Sequence, residues 1–187
     1  MKAFQLDKCA RDARAWRNWG KVYHKCAAAL FDLALDSKNP IYYFPAATLG
    51  HHALEMYLKA ALICEGMTVF NPDKVPPRAT DICLTKKDCA WDHKLIPLAK
   101  QLSERRTDFD LAAKLDLPDC PEVNRNRKET LRAGFELFDA FFEELRYPDE
   151  LRKVEGVGEY EKQVLDRLVA LLRPFSSKQT PARSRVC

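Results

Sequence analysis

The chain is poor in glycine, with six among 187 residues, and none shows the clustered spacing of a phosphate loop. That excludes the Gly-rich loops that cradle phosphates in nucleotide-binding folds. There is no Ser-centred nucleophile elbow and no HExxH metalloprotease signature. No run of 18 or more uninterrupted apolar residues exists, so no membrane span and no membrane partner are expected. Histidine is scarce: there are four, and none follows His93. The seven cysteines, at positions 9, 26, 64, 83, 89, 120 and 187, are odd in number and lack paired spacing. The N-terminus, MKAFQLDKCARDAR, lacks the apolar run of a secretory signal. The expectation is free thiols in a reducing cytoplasm. Cys83, Cys89 and His93 match no common zinc spacing, so neither a metal ion nor a cofactor is expected.

What is present is the composition of an ordinary globular protein, 47% hydrophobic and 31% charged. The formal net charge is +4, but Lys178, Arg183 and Arg185 sit in the tail after Phe175, which holds no acid. The body then carries 28 basic against 27 acidic residues, which is not the overall footprint of a dedicated nucleic-acid binder. Any such function has to come from a local patch. One domain is expected over residues 1–175, followed by a basic, disordered tail over 176–187.

The apolar periodicity is helical throughout. A first helix is expected from about Cys9 to Asp36, with Trp16, Trp19, Tyr23, Cys26, Ala27, Leu30 and Ala34 on its apolar face. Arg14, Arg17, Lys21 and Lys25 form a second stripe almost opposite, four cations without an interleaved acid. This is either a solvated charged face or a surface that contacts phosphates. After the Lys38-Asn39-Pro40 break a second helix runs to Gly66, a candidate left-handed cap. Residues 67–91 lose periodicity around Asn71-Pro72 and Pro76-Pro77, with room for a short hairpin at 81–85. A third helix is expected near Asp92 as N-cap, with Leu95, Leu98, Ala99 and Leu102 inward. Thr107-Asp108-Phe109-Asp110 reads as a capping box for a short helix ending before Pro118. A long helix over 121–146 has Leu131, Phe135, Phe138, Phe142 and Leu145 as its stripe, widened by Leu137 and Phe141. A last one runs from Glu159 to Arg173 with Tyr160, Val164, Leu168, Leu171 and Leu172 inward. The fold class is therefore all-α, an up-and-down bundle of about five helices with a long irregular loop between the second and third.

The second helix, TLGHHALEMYLKAALIC over residues 48–64, carries the chemistry. It is apolar on nearly every side, the mark of a helix buried mid-domain. Yet Thr48, His51, His52, Glu55 and Lys59 fall within one arc of roughly 100°. Glu55 and Lys59 stand at i, i+4 in the favourable order and can simply pair. Alternatively the strip serves a ligand, because polar groups on such a helix are costly unless something satisfies them.

His52-Ala53-Leu54-Glu55 with Leu58-Lys59-Ala60, then Asp92-His93-Lys94-Leu95, then Leu145-Arg146-Tyr147-Pro148 closing the long helix, occur in an order that resembles the HEPN family (higher eukaryotes and prokaryotes nucleotide-binding) over roughly residues 10–175. The resemblance implies a helical bundle that dimerises and acts on RNA or nucleotides. It implies a binding site drawn from His51, His52, Glu55, Lys59, His93 and Arg146, and a separate nucleotidyltransferase or antitoxin partner. Many members are ribonucleases in which four to six residues separate an arginine near the end of the long helix from a following histidine. Here Arg146 has no histidine after it. Arg17 and His24 have that spacing but lie on the polar side of the first helix, which makes the match a coincidence of composition. The expectation is a nucleotide- or RNA-binding homodimer that is not an enzyme and has no catalytic residues. The alternatives are a toxin-like, metal-independent ribonuclease with a non-standard pair, and a structural adaptor.

Overall fold

A computed structural model describes residues 11–69, 89–117, 130–144 and 158–177. These residues form five α-helices: α1 (Ala13–Ser37), α2 (Tyr43–Cys64), α3 (Leu95–Ser103), α4 (Leu131–Glu144) and α5 (Glu159–Phe175). A single 3-10 turn, Pro40–Tyr42, joins the first two. The described residues contain no strand, only isolated bridges between Thr68 and Cys89 and between Lys114 and Thr130. The all-α bundle is as the periodicity requires. The helix α2 is its axis: all four other helices pack against it, and fourteen of its 22 residues are buried.

The ends of the helices follow local chemistry. Asp12 caps α1 by accepting the Ala15 N–H at 3.0 Å. Gly66, at φ +84°, closes α2, with its own N–H on the Ile63 carbonyl and the Met67 N–H on that of Leu62, both at 2.9 Å. This paired pattern needs a left-handed residue, and glycine adopts one without strain. Glu161 reaches back to the Gly158 N–H to start α5.

Several expected features differ. The inward face of α1 is Gly20, Ala27, Phe31 and Ala34, whereas Trp19 is 58% exposed and Cys26 is also exposed. The face is rotated by roughly 60° from the one hydrophobicity suggests. Small residues let the helices approach: a Cβ at Gly20 would stand 3.0 Å from the Tyr57 ring. Asp92 does not cap α3; it accepts the Lys94 N–H, and the helix begins at Leu95. Residues 107–117 form turns, not a helix, with Asp110 bonding the Ala112 N–H two residues on. Thr130 is bridged to Lys114 and its hydroxyl accepts the Ala133 N–H, so the described helix starts at Leu131; residues 118–129 of the expected span lie outside the described residues. In α5, Leu171 faces out and Leu165 and Val169 face in beside Val164, Leu168 and Leu172. The inward residues of α3 are as expected. The 81–85 hairpin, the Tyr147-Pro148 terminus and the tail from 178 lie outside the described residues.

Where α2 crosses α4 the backbones approach closely. A Cβ on Gly50 would stand 2.7 Å from Phe138. That approach brings the polar side of α2 against Asp139 and Phe142.

Candidate functional site around Glu55

The polar strip of α2 divides according to what each side chain meets. Glu55 and Lys59 are buried, at 3% and 2% exposure, so the strip is not a solvent-facing row. Lys59 Nζ donates to Glu55 Oε1 at 2.6 Å. His93, arriving from the segment before α3, places Nδ1 3.0 Å from the same oxygen. His52 Nδ1 lies 3.5 Å from Oε2, a distance at the outer limit of a hydrogen bond. The carboxylate thus gathers one ammonium and two imidazoles. Burial pushes its pKa up, but His52, Lys59 and His93 together outweigh it, and Glu55 is held at about 2. It is therefore ionised at neutral pH.

His51 points elsewhere. It is fully buried, with Nε2 3.2 Å from Asp139 Oδ1, and its ring stacks on Phe142 at 4.2 Å between centroids. Its Nδ1 is buried without a hydrogen-bond partner among the described residues. Asp139 also closes the N-terminus of α3 from a distance: Oδ1 accepts the Leu95 N–H at 2.7 Å and Oδ2 the Ile96 N–H at 3.0 Å. Burial pushes the Asp139 carboxyl up, and the bonds from His51, Leu95 and Ile96 pull it below its ordinary value. Two donors at a helix N-terminus satisfy a carboxylate well.

Beside this cluster, aromatic groups line a pocket of about 270 Å³ formed by Ala15, Trp16, Trp19, Tyr23 and Met56. Its Trp16 wall lies under Lys59, whose Nζ is 5.4 Å from the ring centroid. His52 packs on Tyr23 at 5.6 Å and on Phe142 at 5.5 Å, so the pocket and the polar cluster share a wall. On the far side Trp91 packs edge-on against His93. His52 and His93 keep side-chain exposures of 34% and 61%, and they are the solvent-facing part of the cluster.

The structure thus joins His52, Glu55, Lys59 and His93, with His51 one layer behind. Arg146 lies outside the described residues. Of the basic stripe, Arg14, Lys21 and Lys25 are exposed, but Arg17 is half-buried with its Nε out of solvent and without a hydrogen-bond partner among the described residues. It lies near Cys64, whose thiol is pushed up by burial and by Glu65, against the opposing pull of Arg17. His24 is engaged by Asp166 of α5 at 2.6 Å and is no partner for Arg17.

Asp139, Phe142, Trp91 and Met56 were not expected at the site. Asp139 had a visible signal: at 135, 138, 139 and 142 it falls inside the apolar stripe of its helix, the wrong place for a solvated acid. No family model, no curated protein and no solved structure matches this chain.

Proposed function

We propose that the chain is a HEPN-like protein that binds nucleotide or RNA in the groove between α1 and α2, as a homodimer and without the arginine–histidine ribonuclease pair. The observation that carries this reading is the juxtaposition of an aromatic-walled pocket with a cluster of hydrogen-bonding side chains. Trp16, Trp19 and Tyr23 offer ring faces to a base, and His52 and His93 stand at its edge. Stacking of a base on such rings contributes about 1–3 kcal/mol and tolerates any sequence. Arg14, Lys21 and Lys25 are exposed on the other side of the same helix and offer a separate surface to the phosphates of a longer RNA.

The buried Glu55–Lys59 pair supports a division of labour. Removed from solvent, it holds the two accessible histidines in place and is not itself the contact surface. A second reading, that the strip only fixes packing, draws on this same burial.

Dimerisation is supported by the outer face of α1. Beyond the pocket, Val22, Cys26, Ala29 and Leu33 are all exposed and recur at alternating steps of four and three, the spacing of a coiled-coil seam. An antiparallel second copy covers this stripe, with Val22 of each chain near Leu33 of the other.

The test is binding and cleavage of a short single-stranded RNA at low and high salt, run beside an Arg146→Ala variant. The expected result is weak, sequence-tolerant, steeply salt-dependent binding without cleavage. Cleavage lost in the variant would replace this reading with the ribonuclease. Absence of binding at low salt would leave the packing device.

A further inference from the structure

Within the same cluster, one ring nitrogen of His51, one of His52 and one carboxylate oxygen of Glu55 lie within 4.8 Å of one another. We infer that these three side chains form a binding site for a divalent transition-metal ion of the zinc class, with His93 as its solvent-side fourth ligand. This goes beyond the nucleotide-binding reading and does not depend on it.

Three observations converge. The first is spacing. Ligands at 2.0–2.2 Å around a tetrahedral ion stand about 3.3–3.5 Å apart, and His52 Nδ1 is 3.5 Å from Glu55 Oε2. As a hydrogen bond that contact is poor, so a metal replacing it forfeits little.

The second is the unsatisfied nitrogen. His51 is fully buried, and Nε2 faces the Asp139 carboxylate at 3.2 Å. An Nε2–H donated to Asp139 leaves the Nδ1 lone pair free, and that atom has no hydrogen-bond partner among the described residues. A carboxylate that fixes the tautomer and orientation of a histidine from behind is the usual support for a metal-ligating imidazole. Asp139 is itself anchored by two backbone N–H groups of α3, so this support is rigid.

The third is the donor set. Three imidazoles and one carboxylate suit zinc, nickel or copper rather than magnesium or calcium, which take oxygen shells. Lys59 occupies Glu55 Oε1 and leaves Oε2 for the ion. Its positive charge opposes metal binding, and the Asp139 charge behind His51 offsets it. His93 Nδ1 is 3.0 Å from Oε1 on an exposed side chain, which puts it on the solvent side of the carboxylate.

The experiment titrates the metal-free full chain with Zn²⁺ by calorimetry and with Co²⁺ by visible absorption. Wild type is expected to bind one ion per chain, with a tetrahedral cobalt spectrum lacking the thiolate charge-transfer band. His52→Gln, at a half-exposed position, is expected to abolish that binding while keeping the far-ultraviolet circular dichroism of wild type. Asp139→Asn is expected to weaken it about 10–100-fold. A thiolate band would assign the ion to the cysteines and overturn the site, as would stoichiometric binding unchanged in His52→Gln. Absence of saturable binding in wild type would overturn it equally.

Discussion

Glu55 and Lys59 show how burial changes the meaning of a familiar pair. On an exposed helix an i, i+4 ion pair contributes about 0.3–0.5 kcal/mol. Here both partners are out of solvent, so removing one leaves the other charged and buried. Lys59→Ala is expected to lower stability by about 1–3 kcal/mol in urea unfolding, toward the mild end for a buried pair because His52 and His93 still face Glu55. An unchanged midpoint would mean that the pair contributes nothing. The same carboxylate predicts an acid limit. Its folded pKa of about 2 lies below its ordinary 4.5, so its stabilisation is fully present above about 4.5 and lost as the pH falls toward 2. Glu55→Gln should flatten the stability–pH curve in that window, where wild type loses on the order of 2–3 kcal/mol from this group. Parallel curves for the two proteins would contradict the assignment.

At the scale of elements, α3 depends on a residue 44 positions away in sequence. It has no local side-chain cap, and Asp139 of α4 serves instead. Asp139→Asn keeps one acceptor, turns an amide donor toward the other N–H, and weakens the bond to His51. A loss of about 1–2 kcal/mol is expected, with faster amide exchange at Leu95 and Ile96. Protection there equal to wild type would contradict the long-range cap. This dependence also explains what could be read in advance. The helical period exposed α2 as the central helix and placed Leu95, Leu98, Ala99 and Leu102 inward, because burial of large aliphatic groups is local information. Ala27 and Ala34 of α1 were placed correctly, but its full orientation was not legible, since Gly20 faces the core through close approach and not through hydrophobicity. The start of α3 was not legible either, because its cap comes from another helix. At the site, His52, Glu55 and Lys59 were visible as a polar arc. That His51 turns to Asp139 while His93 joins Glu55 depends on how α4 and the segment before α3 pack against α2.

For the whole molecule, the Phe-rich helix α4 leaves little for a partner: Phe135 and Phe138 are fully buried and Phe141 is 8% exposed. Outside the pocket, the apolar surface that remains on α1 includes Val22 at 51% and Leu33 at 44%. Among the described residues no helix is long and apolar enough to cross a membrane, so this stripe is not part of a span. A second copy is the expected cover. Sedimentation at tens of micromolar should give a dimer, and Val22→Glu should give a monomer with the wild-type circular dichroism. In an antiparallel pair Cys26 stands near its own counterpart beside the two-fold axis, so mild oxidation should yield a covalent dimer lost in Cys26→Ser. A wild-type monomer at that concentration would contradict the seam.

The groove between α1 and α2 can be interrogated directly through its own tryptophans. The chain has three, and Trp91→Phe leaves only Trp16 and Trp19, both in the pocket wall. Titration of this variant with adenosine monophosphate and with a short single-stranded RNA should quench its emission saturably. Trp19→Ala on the same background should weaken the apparent affinity by about 5–150-fold, the equivalent of one lost base stack. Emission that stays unchanged while either ligand binds by calorimetry would place the ligand elsewhere. No binding of either ligand by either method would contradict the nucleotide-binding account itself.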